Sequence, residues 1–154
     1  ETYLADVGFG GNNSIEPISL SCEAPQELAD GIWRTSTRQG GYTYLELQDR
    51  TDSTKWRGLY CWADVGCEYP DLVQANWFSC TFRTARFTNQ LFAAIFHADH
   101  KLYILNDQFV RRRIDGAVVE KIEIKDVQQL IELLATHFGL ELEEDGRLGK
   151  YLKD

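Results

Sequence analysis

The sequence predicts an α+β chain, mainly antiparallel β, in which a curved sheet or part of a barrel is followed by an α/β layer. Three observations lead there. Short β-rich runs separated by turn residues recur along most of the chain. Asp115-Gly116 stands between two such runs and is the strongest hairpin signal, because both residues tolerate positive φ. One late segment carries helical periodicity, with Val127, Leu130, Ile131, Leu134 and Phe138 on one face of a 3.6-residue repeat.

Taken in order, residues 2–7 read as the first strand. A glycine-rich turn (Gly8, Gly10, Gly11, Asn12, Asn13) follows, and then an extended stretch over 14–20 interrupted by Pro17. Residues 21–33 read as a polar, irregular surface connection. Residues 42–47 and 56–62 are β-rich, and the polar run 49–55 between them makes a hairpin. Residues 64–74, with Gly66 and Pro70, read as a loop, and 76–81 as a short strand or turn. Strands follow at 91–96, 101–105, 108–114 and 117–124. The helix begins behind Asp126, whose carboxylate suits the dipole, and ends at Gly139; no other segment reads as helical. The charged tail from Glu141 reads as frayed.

Composition narrows the function classes. With 154 residues and 44% hydrophobic content the chain can bury one core or two small ones. Sixteen Lys and Arg against 24 Asp and Glu give a net charge of −8, which disfavours nucleic acid as a partner. No apolar run approaches the roughly 20 residues that span a bilayer, so no membrane role is expected. The chain opens on Glu1 with a strand already under way at Tyr3 and no signal-peptide pattern, and so reads as a segment of something longer. Its four cysteines (Cys22, Cys61, Cys67, Cys80) read as reduced packing thiols, although two disulfides are arithmetically possible. Neither Cys61-x5-Cys67 nor His97-x2-His100 has a usual zinc spacing, so no metal is expected. His137 reads as partly buried or capping.

The residues with most chemical content are Asp6-Val7-Gly8-Phe9-Gly10-Gly11. A strand that ends in Asp and runs into glycines sets a carboxylate beside backbone that a ligand can approach closely. Such an aspartate can accept a hydrogen bond from a histidine Nδ1–H, and the glycine N–H groups can face an anion. The plainer alternative is an Asx-turn in a sharp reversal. Arg111-Arg112-Arg113 alternates across a strand, and reads as an edge-strand device more than as a basic patch. Tyr42, Tyr44, Trp56, Trp62, Trp77 and Phe78 read as core or cross-strand pairs, with one or two available to line a cleft. Arg83 and Arg86 read as solvated, with a ligand phosphate as the alternative partner.

Residues 3–11, Tyr-Leu-Ala-Asp-Val-Gly-Phe-Gly-Gly, closely resemble the aspartate motif of the arylamine N-acetyltransferases. The resemblance continues through Pro17 and Leu20, Trp56-x-x-Leu59-Tyr60, Pro70-Asp71, Asn76-Trp77-Phe78-Ser79-Cys80-Thr81, the strands from Phe87 to Ile114, and Phe138-Gly139-Leu140. It implies a cytoplasmic enzyme of cysteine-protease-like fold that moves an acetyl group from acetyl-CoA to an arylamine, hydrazine or hydroxylamine through a Cys-His-Asp triad, with no tightly bound cofactor. It further implies a β-barrel portion over 1–85 and an α/β lid over 86–154. Asp6 becomes the triad aspartate, Phe9 a border of the acceptor pocket, and the backbone at Gly8 and Gly10 a neighbour of the acetyl donor.

One departure matters. In that family the nucleophilic Cys and the His precede the aspartate motif, and here only residues 1–5 do. Nothing local supports a substitute pair from Cys80 with His97 or His100. The expectation is therefore the C-terminal part of an acetyltransferase, inactive by itself, whose partner is its missing N-terminal region. A catalytically inactive CoA or arylamine-binding module, and a structural subunit docking on a helical partner, are the competing readings.

Overall fold

The computed structural model describes residues 1–10, 13–144 and 146–152, and in them antiparallel strands outnumber helices. The chain divides into two units, Glu1–Gly66 with Ile114–Gly116, and Cys67–Arg113 with Ala117–Asp154.

In the first unit a two-stranded ribbon, β1 (Tyr3–Leu4) and β2 (Ile18–Ser19), accompanies a four-stranded sheet. That sheet has the order β3 (Gln26–Leu28), β4 (Gly31–Thr37), β5 (Tyr42–Gln48), β6 (Trp56–Ala63). The expected surface connection at 21–33 is thus β3 and the start of β4. Period-2 alternation explains it: Trp33 points inward while Arg34 and Ser36 point outward, so polar letters conceal a half-buried strand. Asp30 supports the turn that opens β4, accepting the Trp33 indole N–H at 3.1 Å. The core is Ile18, Trp33 and Leu45, with Leu4, Leu28, Leu47, Leu59, Tyr60 and Trp62 packed on it. Leu45 faces Tyr60 across β5 and β6, and the register shifts between Leu45 and Glu46. This irregularity bends the strand pair.

The second unit is built on a meander in the order β10 (Val118–Glu123), β9 (Gln108–Arg113), β8 (His100–Leu105), β7 (Phe92–Phe96). Its core joins Leu102, Ile104, Phe109 and Ile124 to Leu130 and Leu134 of α3 (Val127–Phe138). The α3 helix starts and stops on the residues the sequence indicated. Asp126 accepts the Gln129 N–H at 2.8 Å, and Gly139 takes φ 66° so that the Leu140 N–H reaches the Leu134 carbonyl at 3.1 Å. At the hairpin between β9 and β10, Gly116 takes φ 91°.

Four expectations are corrected in this unit or near it. The stretch read as a loop and a short strand contains α1 (Tyr69–Thr81), followed by the short α2 (Arg86–Asn89). Pro70 sits in the first turn of α1, where its missing N–H is harmless, and the Asp71 carboxylate takes the Glu68 N–H at 3.0 Å. No residue of α1 is buried, so Trp77 (61% exposed) and Phe78 (51%) are not core residues there. The strand carrying Arg111–Arg113 lies between β8 and β10, not at an edge, because the Asp115-Gly116 hairpin pairs it on its second side. Its alternation holds: Arg111 pairs with Glu120 at 3.5 Å and Arg112 donates to the Tyr103 hydroxyl at 3.3 Å. Finally, all four cysteines are free, yet Cys61, Cys67 and Cys80 are exposed rather than packed.

Candidate active site

Pairing of β1 with β2 is short, Tyr3 with Ser19 and Leu4 with Ile18, and the Leu20 N–H extends it to the Thr2 carbonyl at 2.9 Å. Beyond Leu4 the chain leaves the ribbon, and Asp6 organises the reversal. Its Oδ1 accepts the N–H groups of Gly8 at 2.9 Å and Phe9 at 3.0 Å, which is Asx-turn geometry. Its backbone carbonyl accepts the Nδ2–H of Asn13, a buried side chain, at 2.9 Å. Gly10 adopts φ 95°, a conformation an L side chain resists, and its carbonyl accepts the Asn13 N–H at 3.0 Å. Gly11 and Asn12, which the sequence places in this turn, lie outside the described residues.

Asp6, Gly8, Phe9 and Gly10 are therefore gathered in one turn, as expected from their spacing. Because the Gly8 N–H is taken by Asp6, that donor is not offered to an anion. What Gly8 offers is close approach: a Cβ at that position would meet nothing within 4 Å.

The turn lies against β6. The Tyr60 hydroxyl is buried and makes no hydrogen bond among the described residues, yet it lies near enough to the Asp6 carboxylate for each group to perturb the other. The Tyr60 ring meets Phe9 with centroids 4.8 Å apart and a 49° tilt, and Trp62 follows at 6.0 Å. Burial pushes the Asp6 carboxyl up, but Tyr60 and the amides of Gly8 and Phe9 outweigh it and hold it below the ordinary carboxylate value. Conversely, burial and the neighbouring Asp6 charge push the Tyr60 phenol well up. At neutral pH the pair is a carboxylate beside a neutral phenol. Asn13 and Tyr60 had no assigned role from sequence. The alternation of β6, which puts Tyr60 and Trp62 on the face of Leu45, was the available signal for Tyr60.

Other candidates are dispersed. The Cys80 thiol interacts with Asn76 of its own helix at 3.5 Å. His97 and His100 stack on each other at 4.5 Å in the β7–β8 turn, with Asp99 on His100 Nδ1 at 2.7 Å. Arg83 and Arg86 are exposed, and Arg86 bonds Gln90 at 2.8 Å. His137 is partly buried and stacks on Phe109 at 5.0 Å. Among the described residues no cluster of three or more His, Cys, Asp or Glu is gathered to hold a metal, and no helix is long and apolar enough to cross a membrane.

Comparison with known proteins agrees with the motif. The model of an N-acetyltransferase family matches residues 1–147. The arylamine N-acetyltransferase / N-hydroxyarylamine O-acetyltransferase of Salmonella typhimurium is 34% identical over 142 residues, 91% of this chain and 48% of that protein. The arylamine N-acetyltransferase of Mycobacterium bovis is 29% identical over 147 residues, 96% of this chain and 50% of that one. Among solved structures, Mycobacterium marinum arylamine N-acetyltransferase in complex with CoA superposes with a TM-score of 0.82 at 30% identity, covering 97% of this chain and 54% of the other. The chain thus spans about half the length of the relatives it matches. With the aspartate turn, the antiparallel framework and the match over residues 1–147 in agreement, this chain belongs to the N-acetyltransferase family that includes the arylamine N-acetyltransferases.

Proposed function

We propose that this chain is the C-terminal half of an acetyl-CoA-dependent arylamine N-acetyltransferase, working by ping-pong acyl transfer, in which Asp6 is the carboxylate of a Cys-His-Asp triad. The observation that carries the reading is the Asp6 turn: a carboxylate held below its ordinary pKa, fixed through Oδ1 by two backbone amides, beside a half-exposed phenylalanine. The cysteine and histidine belong to polypeptide preceding Glu1, so the half described here has no turnover by itself. In this reading the open sheet of the first unit is part of a cysteine-protease-like barrel, and the chain from residue 86 is the lid. Acetyl-CoA is a co-substrate and not a resident cofactor, and the proposed setting is the cytoplasm.

The chemistry follows from the residue types. Asp6 accepts the Nδ1–H of the triad histidine, fixing its tautomer and favouring the imidazolium. An adjacent imidazolium lowers a cysteine pKa from about 8.5 to about 4, so the thiolate is present at neutral pH. The thiolate adds to the thioester carbonyl of acetyl-CoA, and the CoA thiolate leaves with the imidazolium proton. The amine then attacks the acetyl-cysteine, gives its proton to the imidazole and departs acetylated, which restores the thiolate. Phe9 borders the acceptor, and the backbone at Gly8, open around a would-be Cβ, and at Gly10 lies near the acetyl donor. An amine such as an arylamine, hydrazine or hydroxylamine fits the second step.

Asp6→Asn tests this in the full chain, that is, these residues together with the polypeptide proposed to carry the cysteine and histidine. The substitution keeps an acceptor oxygen for the Gly8 and Phe9 amides while removing the charge. Acetyl transfer is expected to fall on the order of 10³- to 10⁴-fold with the fold intact. Near wild-type turnover in a folded variant overturns the assignment. Saturable CoA binding with no acetyl transfer by the unsubstituted full chain indicates the binding-module reading instead.

A further inference from the structure

The Asp6 turn holds the backbone of Phe9 through its N–H, and among the described residues the aromatic ring that meets Phe9 is that of Tyr60 in β6. Phe9 is flanked by Gly8 and Gly10 and is 41% exposed, a situation in which a side chain ordinarily samples several rotamers. What restrains it is β6. The Tyr60 ring lies 4.8 Å from the Phe9 ring at a 49° tilt, inside the range of favourable aromatic pairs. Tyr60 is itself held on its flank: Trp62, two residues along the same face of β6, packs 6.0 Å from it, and both rest on the Ile18, Trp33 and Leu45 core. Tyr60, flanked by Trp62, therefore ties the half-exposed ring beside Asp6 to the core.

From this geometry we infer that Tyr60, flanked by Trp62, is a positioning residue that fixes the Phe9 ring and so selects planar aromatic amines over small non-aromatic ones. The inference rests on the acceptor role proposed above for Phe9. Its physical content is preorganisation. An aromatic amine stacked on a ring already held in place does not have to restrict that ring on binding, whereas stacking on a free ring loses part of its affinity to ordering it. A small hydrazine has no aromatic face to stack and is indifferent to the ring's freedom. Loosening Phe9 should therefore weaken one ligand class and leave the other unchanged.

The test is a titration of the full chain with aniline and, separately, with methylhydrazine, followed by NMR at the Phe9 ring, for wild type, Tyr60→Phe and Tyr60→Leu. Tyr60→Phe keeps the ring and removes the hydroxyl; Tyr60→Leu removes the ring. Wild type and Tyr60→Phe are expected to prefer aniline by the same ratio. In Tyr60→Leu that ratio should fall about tenfold, entirely through aniline, while the Phe9 signals lose their ring-current shift. An unchanged ratio in Tyr60→Leu, an equal loss for both ligands, or no preference in wild type overturns the inference. Should Tyr60→Leu lose the shifted Trp33 indole signal of a folded core, Trp62→Leu is read in its place. A reduced ratio is then expected, and an unchanged one overturns. Acetyl transfer is assayed in the same samples: if the binding pattern holds and no amine is acetylated, the acetyltransferase reading falls and this one stands.

Discussion

Arg34 lies directly opposite Glu46 across β4 and β5, and its Nε donates to Glu46 Oε2 at 2.7 Å. Arg38 reaches the other oxygen at 2.7 Å. Each guanidinium also covers an aromatic ring, Arg34 over Trp56 and Arg38 over Tyr44, both at 3.9 Å. Together they bury a glutamate on the outward face of the sheet.

This arrangement predicts a pH-dependent contribution to stability. Burial pushes the Glu46 carboxyl up, but hydrogen bonds from Arg34 and Arg38 outweigh it and leave the group below its ordinary value of 4.5. A carboxyl with a depressed folded pKa stabilises the fold fully above the unfolded value. That stabilisation is lost as pH falls from there through the folded value, because the unfolded chain binds the proton first. Glu46→Gln should cost about 1.5–3 kcal/mol at neutral pH in urea denaturation. Below pH 4.5 its gap to wild type should shrink. A gap that stays constant from neutral pH down to pH 3 would contradict the charged pairing.

The exposure of α1 makes an optical prediction. Trp33 is 1% exposed and Trp77 is 61% exposed, so iodide should reach the second and not the first. Trp77→Phe is expected to remove most of the iodide-quenchable emission of this chain. It should shift the unfolding free energy by no more than about 0.5 kcal/mol, as surface changes usually do. Unaltered quenching would mean that α1 is covered.

What the sequence made legible, and what it hid, divides along physical lines. The strands from Tyr42 to Ala63 and from Phe92 to Glu123 were readable because β-rich runs and turn residues alternate there without interruption. The α3 helix was readable because its apolar face is buried, so its periodicity is under structural demand. The α1 helix has no buried face, and its apolar residues Leu72, Val73, Trp77 and Phe78 follow no single stripe, leaving Pro70 to suggest a loop. The Asp6 turn was legible as a local motif. The nearness of Tyr60 was not, since it depends on how the turn packs against a strand far along the chain.

The two glycines of the Asp6 turn should respond differently to the same substitution, and the contrast tests the turn itself. Gly10 sits at φ 95°, where a Cβ crowds the following carbonyl, so Gly10→Ala should cost about 1–2 kcal/mol. Gly8 has no such conformation and open space around a would-be Cβ. Its contribution is the N–H that Asp6 Oδ1 accepts at 2.9 Å, which alanine retains. Gly8→Ala should therefore leave stability within about 0.5 kcal/mol of wild type. Denaturant unfolding of both variants, with the Phe9 amide resonance as a local reporter, separates the cases. Gly10→Ala is expected to lower the midpoint and move the Phe9 amide as the Asp6 bond is strained, and Gly8→Ala to do neither. Equal midpoints for the two would contradict the left-handed backbone at Gly10. A Gly8→Ala variant that folds normally yet loses acetyl transfer in the full chain would separate the second role proposed for Gly8, close approach of the acetyl donor, from any role in folding.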